Sequence, residues 1–394
     1  MIAVDEALLL VLALSAAPAP EHVALDRAAG RVLVAPARSR MTQPPFDSAA
    51  MDGYALRKAD IDTQLEVIGE AAAGHPWIGS PRPGTAIRIF TGAPVPDGYD
   101  RVVMQENIDR TGDQIRITDA SGGSNIRPRG GDFAEGDTVS APRWITPADI
   151  GLLAAMNVAE VEVARRPRVA ILATGDELVR PGETPRDGQI ISSNDLAIAA
   201  LARDAGAEVD ALPIARDTRQ SLTDAFTRAA SADLIVTIGG ASVGDHDLVA
   251  TVAETMGMER AFYKIKMRPG KPLMAGRLGQ SALLGLPGNP VSSIICGMLF
   301  MQPLIRAMQG LQGPRPTLKA RLARDLPAEG PRRHYQRARL WPGDDLPQID
   351  PFEDQDSAGL SLLANADALL VRPADQMAQS AGNLVEYLPM PGRG

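Results

Sequence analysis

A single cysteine, Cys296, and four histidines are all that 394 residues offer in the way of thiolate and imidazole metal ligands. One cysteine excludes an intramolecular disulfide and a multi-cysteine zinc site. Cys296 stands in the apolar run SSIICGMLF, where a small buried hydrophobe is a commoner role than a nucleophile. His22, His75, His246 and His334 are scattered, without the spacing of a metal motif. Aromatic residues are only 4%, so the cores must be built from Ala, Val, Leu and Ile. Positive charge is also short. A net charge of −8 argues against nucleic acid as a partner and leaves any anionic ligand to local cation clusters. No apolar run reaches the roughly 18 residues of a membrane span. The apolar stretch EALLLVLALSAAPAP is preceded by Asp5 and opens on Glu6. Acids there are the wrong charge for a signal peptide and the right charge for a first helical turn. A helix over residues 4–16 of a cytoplasmic protein is expected.

What is present is length and turn chemistry. The chain is long enough for two to four domains. Its 37 glycines and 32 prolines are aperiodic, which implies many turns and no repeat array. Residues 57–131 alternate short strands with turns, as a small β domain does. Within 314–394 strands are expected at 317–323, 335–341, 368–372 and 383–387. Thr146-Pro147-Ala148-Asp149 has the hydroxyl, proline and acid of a helix start.

Residues 167–313 read as an α/β segment. The stretch DLIVTIGGASVGDHD (233–247) is its centre. A buried-strand pattern at 234–238 breaks at Gly239-Gly240, where φ > 0 and close backbone approach are possible. Helical periodicity resumes at Leu248. A strand, a glycine turn and a helix start form a usual seat for an anion in an open α/β sheet. Two more strands end in turns carrying Glu177 and Asp217. Parallel strands joined by right-handed crossovers would bring Glu177, Asp217 and Asp247 to one edge. Carboxylates repel a bare phosphate, so three of them beside a phosphate seat suggest a bridging Mg²⁺. The plainer reading is that such acids cap helices, and for Asp217, just before Thr218, the two readings are close to even. Lys264, Lys266, Arg268 and Lys271 supply local positive charge around MRPGKP. GLPGNP places glycines beside the helix that Pro290 starts.

Seven strings occur in order: FDSAAMDGYA, TGAPVP, NIRPRGGD, TGDEL, GGASVGDHD, PGKP and GLPGNPVS. On these the chain resembles the molybdopterin molybdotransferase family (MoeA and the gephyrin E domain) over essentially its whole length. The resemblance implies a multidomain α/β protein. Its parts are a central three-layer α/β domain with a mostly parallel sheet (167–313), a discontinuous α/β N-terminal dimerisation module (1–46 and 132–166), a β-rich insert (47–131) and a C-terminal β domain (314–394). It implies a homodimer that places molybdate on adenylylated molybdopterin, with release of AMP and help from Mg²⁺. The molybdopterin adenylyltransferase and apo-molybdoenzymes are the partners it suggests.

Carried over residue by residue, the resemblance assigns catalytic roles to Asp52, Asp132, Glu177, Asp217 and Asp247, of which Asp217, Asp247 and Glu177 would hold the metal. Substrate contacts fall to Thr91, Gly239, Gly240, Ser242, Lys264, Arg268, Lys271, Pro287, Pro290, Arg337 and Ser357. Asp52 and Asp132 would act across the dimer. Two departures stand out: Arg268 replaces a usual lysine, and no glycine precedes Ser357. The competing readings are adenylyl transfer to molybdopterin and a non-catalytic scaffold. The first is disfavoured by the domains outside 167–313, because the smaller adenylylating proteins consist of little more than an α/β unit.

Overall fold

The computed structural model describes residues 1–240 and 248–392. The chain divides into two compact units, one of residues 1–21 with 164–394 and one of residues 22–163.

The larger unit is organised on a six-stranded sheet in the order Glu208–Ala211, Arg168–Ala173, Leu234–Ile238, Ser281–Leu286, Met274–Leu278 and Glu259–Tyr263. The first four run parallel; the last two form an antiparallel edge. Leu234–Ile238 is buried at every position, as a central strand covered on both faces must be. Helices Asn194–Asp204 and Pro290–Cys296 pack on one face through Ile198, Val291 and Ile295. Helices Arg219–Ala229 and Leu248–Thr255 cover the other through Phe226, Val249 and Val252. This is the expected three-layer arrangement. Gly206, at φ 94°, ends the first of these helices, a left-handed position that glycine occupies without strain.

The first helix, Val4–Leu12, is shorter than the expected 4–16. Val4, Ala7 and Val11 join the α/β core, and Asp5 pairs with both Nη atoms of Arg333 at 2.6 and 2.8 Å. The sequence showed an apolar helix but not which core would take it. From Pro290 the chain stays helical to Ala307, with a π-helical turn at Gly297–Met301. Long and apolar enough by composition to cross a membrane, the stretch Pro290–Ala307 is 72% buried inside the protein instead.

The C-terminal strands, Leu318–Leu322, Arg333–Trp341, Gln348–Pro351, Ala368–Arg372 and Leu384–Pro389, pair in a closed ring, because Arg333–Trp341 bonds to both Gln348–Pro351 and Ala368–Arg372. The Gln348–Pro351 strand, too short and polar to stand out, was not anticipated.

The smaller unit has its own cores. A six-stranded sheet runs in the order Arg101–Met104, Gly53–Leu56, Thr85–Ile89, Leu65–Ala71, Gln114–Ile117 and Ile108–Thr111. A second region holds Val32–Leu33 against Arg143–Trp144 and Val163, and Ala37–Arg38 against Thr138–Val139. Residues 32–38 thus pair with residues 138–163, more than ninety positions later in the chain. Helix Pro147–Ala155 starts in a full capping box: Thr146 Oγ1 accepts from the Asp149 N–H, and the Asp149 carboxylate accepts from the Thr146 N–H.

Candidate functional site

The four parallel strands end on one edge of the sheet, and the loops of three of them, with Ala358, line a cleft of about 330 Å³ that includes Thr174, Glu177, Asn194, Gly239 and Asn289. Gly239 and Gly240 take φ 90° and 69°. A side chain on Gly239 would stand 2.8 Å from the Thr174 carbonyl oxygen, and one on Gly240 2.3 Å from Val249. Gly239 thus lets backbone approach backbone at the mouth of the strand, and Gly240 lets the Val249 side chain pack against the turn. Ser242 and Asp247, expected immediately beyond, lie outside the described residues.

Glu177 is exposed and folds over Gly175, where a Cβ would meet its carboxylate at 2.3 Å. Asp217 is exposed on the neighbouring strand's loop, and its N–H lies 3.4 Å from Asp176 Oδ1. Thr218, not Asp217, caps the following helix, its hydroxyl accepting from the Ser221 N–H at 3.2 Å. The capping role that competed for Asp217 is filled by its neighbour. Among the described residues no three His, Cys, Asp or Glu side chains converge as a metal cage.

The GLPGNP loop forms the opposite wall. Pro287 is buried, and Pro290 occupies the first turn of its helix. Ser193, not Asn194, holds the cap position of its helix, and the Asn194 amide donates to the Gly288 carbonyl at 2.6 Å. Asn289 donates to Ser357 Oγ at 2.9 Å, and the Ser357 carbonyl accepts from the Val291 N–H at 3.2 Å. The cleft wall at Ala358 is therefore tied to the α/β loops. Neither Asn194 nor Asn289 was singled out as a site residue in the sequence. Their signal was an amide side chain in each of two loops at the carboxyl ends of adjacent secondary elements.

The basic loop does not line this cleft. Met267–Arg268 pairs in parallel with Arg333 and His334. Gly270, at φ 107°, lies so close to Cys296 that a Cβ would stand 2.5 Å from its sulfur. Lys264, at φ 71°, places Nζ 4.8 Å from the Tyr263 ring centre. Arg268 is exposed and Lys271 half-buried. Arg337 is 1% exposed, and its guanidinium donates to the carbonyls of Gly359 and Asp354 at 2.9 and 3.2 Å and to Gln355 Oε1 at 3.3 Å. Burial lowers its pKa, opposed by Asp354 and Asp356.

In the smaller unit, three strings far apart in sequence are knitted together. Ser48 and Ala49 of FDSAAMDGYA pair with Arg127 and Ile126 of NIRPRGGD. The Asp47 carbonyl and the Ala49 N–H bond to Val95 and Ala93 of TGAPVP. Asp52 Oδ1 accepts from the Thr91 N–H at 2.8 Å and the Thr91 hydroxyl at 2.7 Å. These bonds hold the exposed Asp52 carboxyl below its ordinary range, with Arg88 adding to the effect. Arg88 itself lies between the Tyr54 and Phe90 rings, 5.2 and 4.8 Å from their centres, and also went unremarked in the sequence. Asp132 is exposed at the end of a turn whose Gly130 has φ 72°. A larger hollow in this unit, about 800 Å³ around Arg38, Arg40 and Glu162, contains none of the candidate residues.

Comparison with known proteins fits this geometry. Residues 2–157 match the MoeA N-terminal region (domain I and II), 170–307 a probable molybdopterin binding domain, and 319–390 the MoeA C-terminal region (domain IV). A molybdopterin molybdenumtransferase of Nostoc sp. is 37% identical, over 94% of this chain and 89% of its own. Molybdopterin molybdenumtransferase 2 of Mycobacterium tuberculosis is 36% identical, over 93% and 94%. The solved structure of the molybdopterin biosynthesis moeA protein of Pyrococcus horikoshii aligns with a TM-score of 0.84 at 26% identity, covering 99% of this chain and 100% of that one. With matches to both terminal regions and the intervening domain, and full-length relatives of that one kind, the chain belongs to the MoeA family.

Proposed function

We propose that this chain is a molybdopterin molybdenumtransferase, which transfers molybdate to adenylylated molybdopterin and releases AMP. The observation that carries the reading is the loop cluster at the carboxyl edge of the parallel sheet. There Gly239 of the Gly-Gly turn, Asn194, Asn289 and Glu177 line one cleft, and Asp217 lies on the adjacent strand's loop, its N–H 3.4 Å from Asp176. The glycines leave room for a phosphate against backbone, and the amides orient its neighbours.

Mg²⁺ fits the donor set. Glu177 and Asp217 offer hard oxygens from two adjacent loops, and this ion is commonly held by one or two carboxylates together with substrate phosphates. Glu177, Asp217 and the sequence neighbour Asp247 would hold it, and it would supply charge neutralisation at the pyrophosphate. The chain's own groups do the rest. Lys264, Arg268 and Lys271 neutralise oxyanions, and Thr91 holds Asp52 ionised through two hydrogen bonds. Asp52 and Asp132 act at the site from the second subunit of a homodimer. The working compartment is the cytoplasm, with the adenylyltransferase upstream and apo-molybdoenzymes downstream. Purified protein, adenylylated molybdopterin, molybdate and Mg²⁺ are expected to release AMP, and Asp52→Asn to release it at least tenfold more slowly with an unchanged melting temperature. A scaffold would release none.

A further inference from the structure

Behind the exposed Arg268 lies a buried group of polar side chains that the proposed reaction does not use. Arg268 is the register partner of His334, whose other neighbouring strand supplies Arg372 opposite it. His334 is 3% exposed and Arg372 1%. Glu329 Oε1 and Oε2 lie 3.2 and 3.3 Å from His334 Nδ1. Gln336 Nε2 donates to the same carboxylate at 3.2 Å, and Arg372 Nη1 is 3.6 Å away. Arg372 Nη2 donates to the Pro327 carbonyl at 2.8 Å, fixing the second arginine in place.

The charged groups facing His334 are thus Glu329 from the preceding loop, Arg268 from the basic loop and Arg372 from the adjacent strand. Burial above all, then Arg268 and Arg372, hold the imidazole below its ordinary pKa, with Glu329 opposing them. The cluster has capacity for one more proton. Gln336 Nε2 lies 3.3 Å from Nδ1, which accepts from it in the Nε2–H tautomer, and Glu329 stands within reach to accept from a proton added there.

We infer that His334 is a positioning residue that takes up a proton when a tetrahedral dianion binds at Arg268. The inference rests on the proposed role of Arg268 as an oxyanion contact. A dianion on Arg268 cancels one of the two positive charges that keep the imidazole neutral, and protonated His334 pairs with Glu329 beneath it. Linkage makes the coupling reciprocal: a ligand that favours protonation is itself bound more tightly by the protonated form. Affinity therefore rises as pH falls, by at most about tenfold per pH unit for one linked proton. In the acid range this offsets part of the cost of bringing a dianion to a protein of net charge −8.

Isothermal titration with sulfate, a tetrahedral dianion whose charge is fixed over this range, and with molybdate tests it. Titrations of the full chain between pH 5.5 and 7.5, in buffers of different ionisation enthalpy, count the protons taken up. Uptake by the wild type, its loss in His334→Gln with binding retained at pH 7.5, and loss of binding in Arg268→Ala are expected. Equal uptake in wild type and His334→Gln overturns the inference, as does the absence of dianion binding. If His334→Gln does not fold, the wild-type His334 NMR titration with and without sulfate decides: an upward shift is expected, and no shift overturns it. Coupled uptake without AMP release would sink the proposed function and leave this inference standing. AMP release with no coupling would do the reverse.

Discussion

Arg337 offers the sharpest test of how the C-terminal region serves the site. The resemblance makes it a substrate contact, whereas its guanidinium already donates to Gly359 O, Asp354 O and Gln355 Oε1. Arg337→Lys keeps the charge and most of the length but reaches one of these acceptors instead of three. Two lost bonds from a charged donor, at about 1.5 kcal/mol each, make a destabilisation of about 3 kcal/mol. For a unit of this size that corresponds to a fall of about 6–12 °C in melting temperature. The loop at risk is 354–359, which carries Ser357 to Asn289, so dianion affinity should fall as a consequence of loosening. Differential scanning calorimetry of the variant, with sulfate titration below the transition, separates the two roles. A melting temperature within about 1 °C of wild type, together with a large loss of affinity, would refute the brace and make Arg337 a direct ligand contact.

Two further outcomes follow from buried groups. Burial raises the Asp149 pKa, but hydrogen bonds from Thr146 and Arg143 outweigh it and hold the carboxyl below its ordinary range. Its stabilisation is therefore present above the unfolded-state value near 3.9 and lost as pH falls through the folded value. Asp149→Ala should destabilise residues 22–163 by about 1–2 kcal/mol at pH 7, with a deficit that shrinks in denaturant melts below about pH 4. A deficit independent of pH would show that packing, not the carboxylate, was lost. Cys296 is fully buried and burial pushes its thiol up, so a thiol reagent should label it only at the rate of unfolding. Rapid labelling of the native protein would contradict that environment.

How far the sequence carried this picture depends on the range of the forces involved. Leu234–Ile238 was legible residue by residue, because a fully buried strand is written as an unbroken apolar run. Thr146-Pro147-Ala148-Asp149 was legible because its capping partners are three residues apart. The shared edge of Glu177 and Asp217 followed from the handedness of crossovers. What could not be read is long-range partnership. Asp52 could have been a hairpin turn, and only the fold brings Thr91 to it across 39 positions. Asn194 had the chemistry of a cap, and a carbonyl 94 residues away took its amide instead. The first helix displayed its apolar run without naming the core that receives it.

The tie between Asn289 and Ser357 has a consequence for the order in which the chain emerges from the ribosome. The parallel strands and their glycine turn are all made before residue 290, yet the wall at Ala358 and the hydroxyl that holds Asn289 come some seventy residues later. The helix at Val4–Leu12 waits longer still, since Asp5 meets Arg333 only after 328 residues of synthesis. A nascent chain can therefore complete its central sheet while the cleft beside it is still open on one side.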